Sequence, residues 1–262
     1  MTTVERVALV TGAARGMGAA VVGRLAADGY AVLALDWCAG PDAEPYPMPA
    51  RADLEAVVAP YDHAVAHVAD VRDRAALEAA VAEAVGRWGR LDVAVAAAGL
   101  VGGGQPLWET ADDQLALLWD ANARGVWNTA AAAVPAMLAG PDPSGCRFVA
   151  VASAAGSYGL FHLAAYNAAK HAVVGMVRGL AADLAGTGVT AVAVSPGSTR
   201  TPMLAETARL YPDADVDDLA AHQLLQRPLE PAEIAATIAF CCSREGAAVN
   251  GSVVHADGGF RA

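Results

Sequence analysis

Thr11-Gly12-Ala13-Ala14-Arg15-Gly16-Met17-Gly18 is the stretch that decides the fold. The apolar run Val7–Val10 precedes it, and a helix-like segment follows to about Asp28. A strand, a glycine-rich turn and a helix in that order let the backbone approach a pyrophosphate, whose charge the helix N-terminus stabilises. A glycine-rich turn alone is weak evidence. The context strengthens it, because the next apolar run, Ala31–Leu35, ends on the acid Asp36.

Outward from there the pattern repeats. After a Pro- and Gly-rich loop at 37–50, a helix runs to about Ala59 and a strand spans His63–Val68. Arg74–Trp88 has Leu77, Val81 and Val85 at helical spacing, and Val93–Ala97 is a fourth strand. A long helix is predicted over Asp112–Leu138, then a strand over Arg147–Ala152, a helix over Ala164–Ala185 and a strand over Val189–Val194. The helix Pro231–Ser243 and the strand Ser252–His255 end the series. The strands are continuous apolar runs, which means a parallel sheet covered on both faces. The expectation is one α/β, doubly wound, Rossmann-like domain over 1–262 with a seven-stranded parallel sheet and helices on both faces.

Composition narrows the function. The 262 residues are 55% hydrophobic and 17% charged, enough for a large core. A formal charge of −11 and the absence of any basic run argue against a nucleic-acid partner. No stretch approaches the roughly 18 apolar residues needed to span a bilayer, and no signal segment is evident, so a cytoplasmic protein is expected. Cys38, Cys146, Cys241 and Cys242 lack metal-ligand spacing and read as free thiols; no metal site is expected. Sixteen of the seventeen Lys and Arg residues are arginine, and the one lysine is Lys170.

Asp36 can accept hydrogen bonds from the adenosine ribose hydroxyls and repels a 2′-phosphate, so NAD is favoured over NADP. Arg15 argues the other way, since it offers a phosphate a partner. The alternative for Asp36 is a cap or turn residue. Tyr166 and Lys170 stand four apart on a predicted helix, on one face. A lysine placed at random would land four after one of the six tyrosines about once in forty placements. For a phenol to act as a base near neutral pH, its pKa of about 10 must fall by roughly three, which is about 4 kcal/mol. An ammonium and a positive nicotinamide ring both push that way. Ser153 closes the fifth strand, where its hydroxyl meets a substrate oxygen or merely caps a turn. Asn122 sits inside a predicted helix, where Asn is a poor former; a functional amide and a satisfied buried one are equally good readings.

Taken together these residues resemble the short-chain dehydrogenase/reductase family along the whole chain. The resemblance implies that Gly12, Arg15, Gly16, Met17 and Gly18 cradle the dinucleotide, that Asp36 and Trp37 meet its ribose, and that Asp70 and Val71 meet its adenine. It implies that Asn122, Ser153, Tyr166 and Lys170 form the catalytic set. Pro196, Gly197, Thr199 and Thr201 are then expected to hold the nicotinamide, and Ala98, Gly99, Tyr166 and Lys170 are further residues expected to bind the cofactor. The family's Asn-Asn-Ala-Gly is replaced here by Ala96-Ala97-Ala98-Gly99.

Asp36-Trp37-Cys38 followed by Tyr46-Pro47-Met48 resembles the mycofactocin-coupled members of that family. There an insertion like 37–50 goes with NAD that does not exchange freely, and mycofactocin is thought to remove the electrons. A proline-stiffened flap over the adenosine would slow release; a surface insertion without function is the alternative. The substrate pocket is expected from Tyr158, Leu160, Phe161, His162, Trp108 and the segment 198–227, above all Met203 to Leu225, which suits a hydrophobic, secondary alcohol or ketone. The resemblance also implies a homotetramer paired through the helices at 112–138 and 164–185. Rival readings are a freely exchanging NAD(P)H reductase of ketones or 3-oxoacyl groups, and a catalytically silent dinucleotide-binding regulator.

Overall fold

The computed structural model describes residues 5–43, 45–211 and 215–261. The expected insertion at 37–50, the segment at 198–227 and the span 1–262 each include residues that lie outside the described ones, namely 1–4, 44, 212–214 and 262.

Seven strands form one sheet: β1 Val7–Thr11, β2 Ala31–Asp36, β3 Ala64–Val68, β4 Val93–Ala96, β5 Arg147–Val151, β6 Thr190–Pro196 and β7 Val253–Ala256. Their spatial order is β3-β2-β1-β4-β5-β6-β7, and every pairing is parallel. Among the described residues eight α-helices join them: α1 Gly16–Ala27, α2 Arg51–Val58, α3 Arg74–Trp88, α4 Asp112–Trp119, α5 Gly125–Ala139, α6 Ala164–Asp183, α7 Pro202–Arg209 and α8 Pro231–Cys242.

The unbroken apolar character of the central strands has a direct cause. Val7 and Leu9 of β1 face one core with Leu77, Phe148 and Val177, beneath α3, α5 and α6. Ala8 and Val10 face the other with Val21, Leu54 and Ile238, beneath α1, α2 and α8. Both faces of each strand are dry, so no position in the middle of the sheet is left for a polar residue. Chain reversal between β1 and β4 opens a crevice at the carboxyl ends of the strands, which is where ligands bind in such sheets.

One element departs from the sequence expectation. The helix predicted over 112–138 is interrupted by a π turn at Asp120–Arg124. Asn122 lies at its centre with no exposed surface. Its amide Nδ2 donates to the Leu118 carbonyl one turn back, at 2.8 Å, and to the Leu100 carbonyl at 2.9 Å, while Oδ1 accepts from the Leu100 N–H at 3.1 Å. Packing against the loop after β4 therefore overrides α-helical register, a use to which π turns are often put.

Candidate active site

The glycine turn is built for close approach. Gly12 has φ +68°, and a Cβ there would lie 2.7 Å from the Ala98 Cα. A Cβ on Gly18 would strike the Gly12 carbonyl oxygen. The N-terminus of α1 opens onto this turn; Arg15 at its cap makes no side-chain capping bond, and its first turn holds no acid. Free N–H groups at the positive end of a helix fit a pyrophosphate. The Asp36 carboxylate is fixed beside it, with Oδ2 accepting from the Ala14 N–H at 3.0 Å and Oδ1 from the Cys38 N–H at 3.2 Å. The turn reading of Asp36 and the ribose reading are thus compatible, because each oxygen keeps free lone pairs.

Gly12, Arg15, Gly16, Met17, Gly18, Asp36, Trp37, Asp70, Val71, Ala98 and Gly99 line this cleft, together with Met48, Pro49, Arg72 and Thr201. Asn128 holds the far wall by donating to the Val71 and Arg72 carbonyls at 3.0 and 3.2 Å. Where the family has asparagines after β4, Thr11 supplies the brace instead: its Oγ1 accepts from the Ala97 and Ala98 N–H groups at 3.1 and 3.2 Å.

A second, apolar cavity of about 430 Å³ adjoins the cleft, and Met17, Thr201 and Met203 line both. Ser153, Tyr166, Pro196, Gly197 and Thr199 lie on its wall. Ser153 Oγ caps the turn 154–156 by accepting from the Ala155 N–H at 3.1 Å, and it also bonds the Tyr166 hydroxyl. Burial pushes the Tyr166 phenol up to about 12, and the bond to Ser153 pulls against that rise. Lys170 Nζ stands 5.7 Å from the centre of the Tyr166 ring and donates to the Val151 carbonyl at 2.9 Å; burial brings its pKa down to about 8. The protein alone therefore does not lower the phenol's pKa, as the sequence reading required. Asn122 and Lys170 meet behind Gly99, where a Cβ would sit 2.6 Å from Asn122 Oδ1 and 3.6 Å from Lys170 Nζ. Neither lines a cavity wall; both stand one layer behind it.

The pocket differs from the sequence expectation in detail. Leu160, Phe161, Met203, Tyr211, Leu219 and His222 line it. Trp108 does not; it is 82% exposed on a surface turn. Leu224 and Leu225 are also exposed. Tyr158 stands outside against Phe260, ring centres 5.5 Å apart, and His162 stacks on Phe161 at 3.6 Å. Val101 and Phe260, which the sequence reading missed, do line it. Phe260 reaches the cavity because the tail pairs with residues 222–225, a long-range contact with no local signal.

The 37–50 loop lies across the cleft. Arg15 Nη1 donates to the Pro47 carbonyl at 2.8 Å and Nη2 to the Met48 sulfur at 3.2 Å. On the opposite wall, the Tyr46 hydroxyl accepts from the Val101 N–H at 3.2 Å. Tyr46 and Met48 are buried in a small core with Leu100, Val101, Leu118 and Tyr166. An aromatic residue amid prolines was the one sequence sign that this loop packs inward.

Among the described residues no helix is long and apolar enough to cross a membrane, and no cluster of His, Cys, Asp or Glu is placed to hold a metal.

Known proteins resemble the chain over almost its whole length. A family profile described as Enoyl-(Acyl carrier protein) reductase matches residues 12–261. An uncharacterised oxidoreductase of Mycobacterium tuberculosis is 36% identical over 269 residues, covering 97% of this chain and 96% of its own. A second protein of that organism, named an uncharacterised NAD-dependent oxidoreductase, is 35% identical over 265 residues, covering 97% and 95%. The crystal structure of carveol dehydrogenase from Mycobacterium avium in complex with NAD superposes with a TM-score of 0.89 at 33% identity, over 97% of each chain. The chain is an oxidoreductase of the short-chain dehydrogenase/reductase family.

Proposed function

We propose that this protein is an NAD-dependent dehydrogenase of a hydrophobic, secondary alcohol, holding its NAD beneath the 37–50 loop and passing the electrons on through mycofactocin. The observation that carries the reading is the seam between the two cavities, where the Tyr166 and Ser153 hydroxyls face an apolar chamber beside a dinucleotide cleft. The carveol dehydrogenase crystallised with NAD supports both the cofactor and the substrate class.

Ser153 donates a hydrogen bond to the substrate oxygen, and Tyr166 Oη takes its proton as the carbon gives up hydride. Bound NAD would supply the hydride acceptor and the positive ring that the raised phenol needs. Lys170 adds a second positive charge, and Asn122 fixes the Leu100 backbone beside Gly99, behind which Asn122 and Lys170 meet. Leu160, Phe161, Leu219 and Phe260 favour an apolar ring or chain and offer it few polar partners. The protein works in the cytoplasm as a homotetramer. Exposed Leu115 and Trp119 on α4 and Trp127 on α5 support pairing through that face.

Gel-filtered protein should carry about one NAD(H) per chain and give about one turnover on added NAD⁺ unless a dye or mycofactocin accepts the electrons. Replacing 39–49 by a Gly-Ser turn should release the nucleotide. Empty protein that turns over rapidly on free NAD⁺ would remove the retention and mycofactocin parts and leave the dehydrogenase standing.

A further inference from the structure

Two cations line the dinucleotide cleft among the described residues, Arg15 and Arg72. A 2′-phosphate carries close to two negative charges and seeks an arginine. Both guanidiniums are already engaged. Arg72 Nη2 is paired with Asp70 Oδ2 at 2.6 Å, and its charge lies 4.6 Å from the centre of the Trp37 ring. Arg15 donates from one nitrogen to the Pro47 carbonyl and from the other to the Met48 sulfur, and its charge stands 5.8 Å from the Tyr46 ring centre. Trp37, Tyr46, Pro47 and Met48 all belong to the same loop.

We propose that the 37–50 loop is a second selectivity element against NADP, acting by holding Arg15 away from the 2′-phosphate independently of the charge on Asp36. The inference rests on the reading of the cleft as a dinucleotide site. It turns on position and engagement. Arg15 sits in the glycine turn, on the wall shared with Asp36, where an unengaged guanidinium would offset much of the carboxylate's repulsion. Met48 and Pro49 line the same cleft as Asp36, so the stretch of the insertion that holds Arg15 borders the ribose site. The main hold is a backbone carbonyl, so it survives changes to loop side chains unless the loop itself shifts. Tyr46 and Met48 are what seat the loop, since both are buried among Leu100, Val101 and Leu118.

The test compares bound nucleotide at equilibrium. Each protein is dialysed against equimolar NADH and NADPH until the bound ratio is constant, and the nucleotide held in excess of the dialysate is counted by mass spectrometry. Asp36→Ala should raise the NADPH share. Adding Arg15→Ala to Asp36→Ala should leave the ratio within about twofold, because Arg15 is already engaged. Adding Tyr46→Ala and Met48→Ala to Asp36→Ala should raise it about tenfold further, the worth of one charged hydrogen bond, and Arg15→Ala should then cancel that gain. A tenfold loss of NADPH on adding Arg15→Ala to Asp36→Ala alone would overturn the proposal, because Arg15 would be reaching the phosphate past the loop. That pair decides the question even where the loosened loop prevents folding. A loosened loop that leaves the ratio unchanged, or a gain that survives the loss of Arg15, also overturns it. Parent protein that binds neither nucleotide at equilibrium would overturn the dinucleotide reading as well; parent that binds NADH while the variants fail these ratios overturns only the role of the loop.

Discussion

Strand β5 has a buried cation at each end, and the two are handled in opposite ways. Arg147 opens the strand and is 3% exposed; Lys170 reaches its last carbonyl from α6 and is 4% exposed. Arg147 donates to four carbonyls, those of Ser144, Cys146, Ser243 and Arg244, at 2.7 to 3.1 Å. Among the described residues Lys170 donates to one, Val151. Neither forms an ion pair among those residues. A guanidinium has five fixed donors and does not deprotonate in proteins, so saturating it with carbonyls, two of them just beyond the end of α8, makes a permanent clamp. An ammonium left with one partner is held in reserve, and burial takes its pKa down to about 8. The amino end of the sheet spends its buried charge on rigidity, and the carboxyl end keeps it reactive. That contrast explains why a chain of sixteen arginines keeps one lysine.

The largest expected effect breaks the reactive end. Tyr166→Phe should lower kcat by about 10³-fold or more, while retained NAD(H) is unchanged, since general acid–base catalysis is worth 10² to 10⁴. Steady-state kinetics with a dye acceptor checks this; near-normal turnover would refute the role.

At the other end, Arg147→Met should leave turnover intact and cost stability. Four carbonyls lose the guanidinium, although those of Cys146 and Arg244 keep a backbone donor, and the total cost is about 3 kcal/mol. For a chain of this size that lowers Tm by about 6–12 °C. Calorimetry showing no loss would mean water replaces the guanidinium, and the clamp would be incidental.

Lys170→Met should do the reverse, abolishing activity while raising stability. The folded pKa of about 8 lies below the ordinary lysine value of 10.5, so the unfolded chain binds more protons between those pH values. The cost of burying the charge is therefore fully present below pH 8 and relieved as pH rises toward 10.5. It amounts to about 3 kcal/mol. Losing the bond to Val151 takes back about 1 kcal/mol. A net gain of about 2 kcal/mol at pH 7, shrinking above pH 8, should appear in denaturant titrations of both proteins; equal stabilities at pH 7 would remove the contrast with Arg147.

Much of this was legible in the sequence where the cause is local or periodic. Continuous apolar strands followed from burial on both faces, and Gly12, Asp36, Ser153, Tyr166 and Lys170 could be placed from the ends of strands and one helical turn. The π turn escaped, because it arises from Asn122 bonding Leu100, 22 residues away. Trp108 was misassigned to the pocket because an aromatic residue reads the same in either setting until the surface turn is seen. Arg15 was weighed as a phosphate partner, and its engagement by Pro47, 32 residues on, has no signature in spacing.

The smallest effect sharpens the comparison at the reactive end, where the loop joins it. Tyr46→Phe keeps the ring among Met48, Leu118 and Val101 and removes only the oxygen that accepts from the Val101 N–H. A neutral hydrogen bond is worth about 1 kcal/mol net, so the closed loop should open about fivefold more often and Tm should move little. Release of bound NADH into an excess of NAD⁺, followed by loss of its fluorescence, should quicken by that factor while kcat with a dye acceptor stays within twofold. Burial raises the Tyr46 phenol above its ordinary pKa, so it stays protonated around neutral pH and the release rate of the parent should be flat across that range. An unchanged release rate in Tyr46→Phe would show that the loop is fastened at Arg15 and not at Val101. Double replacement with Arg15→Ala would then carry the whole effect, and the two walls of the cleft would differ as the two ends of β5 do.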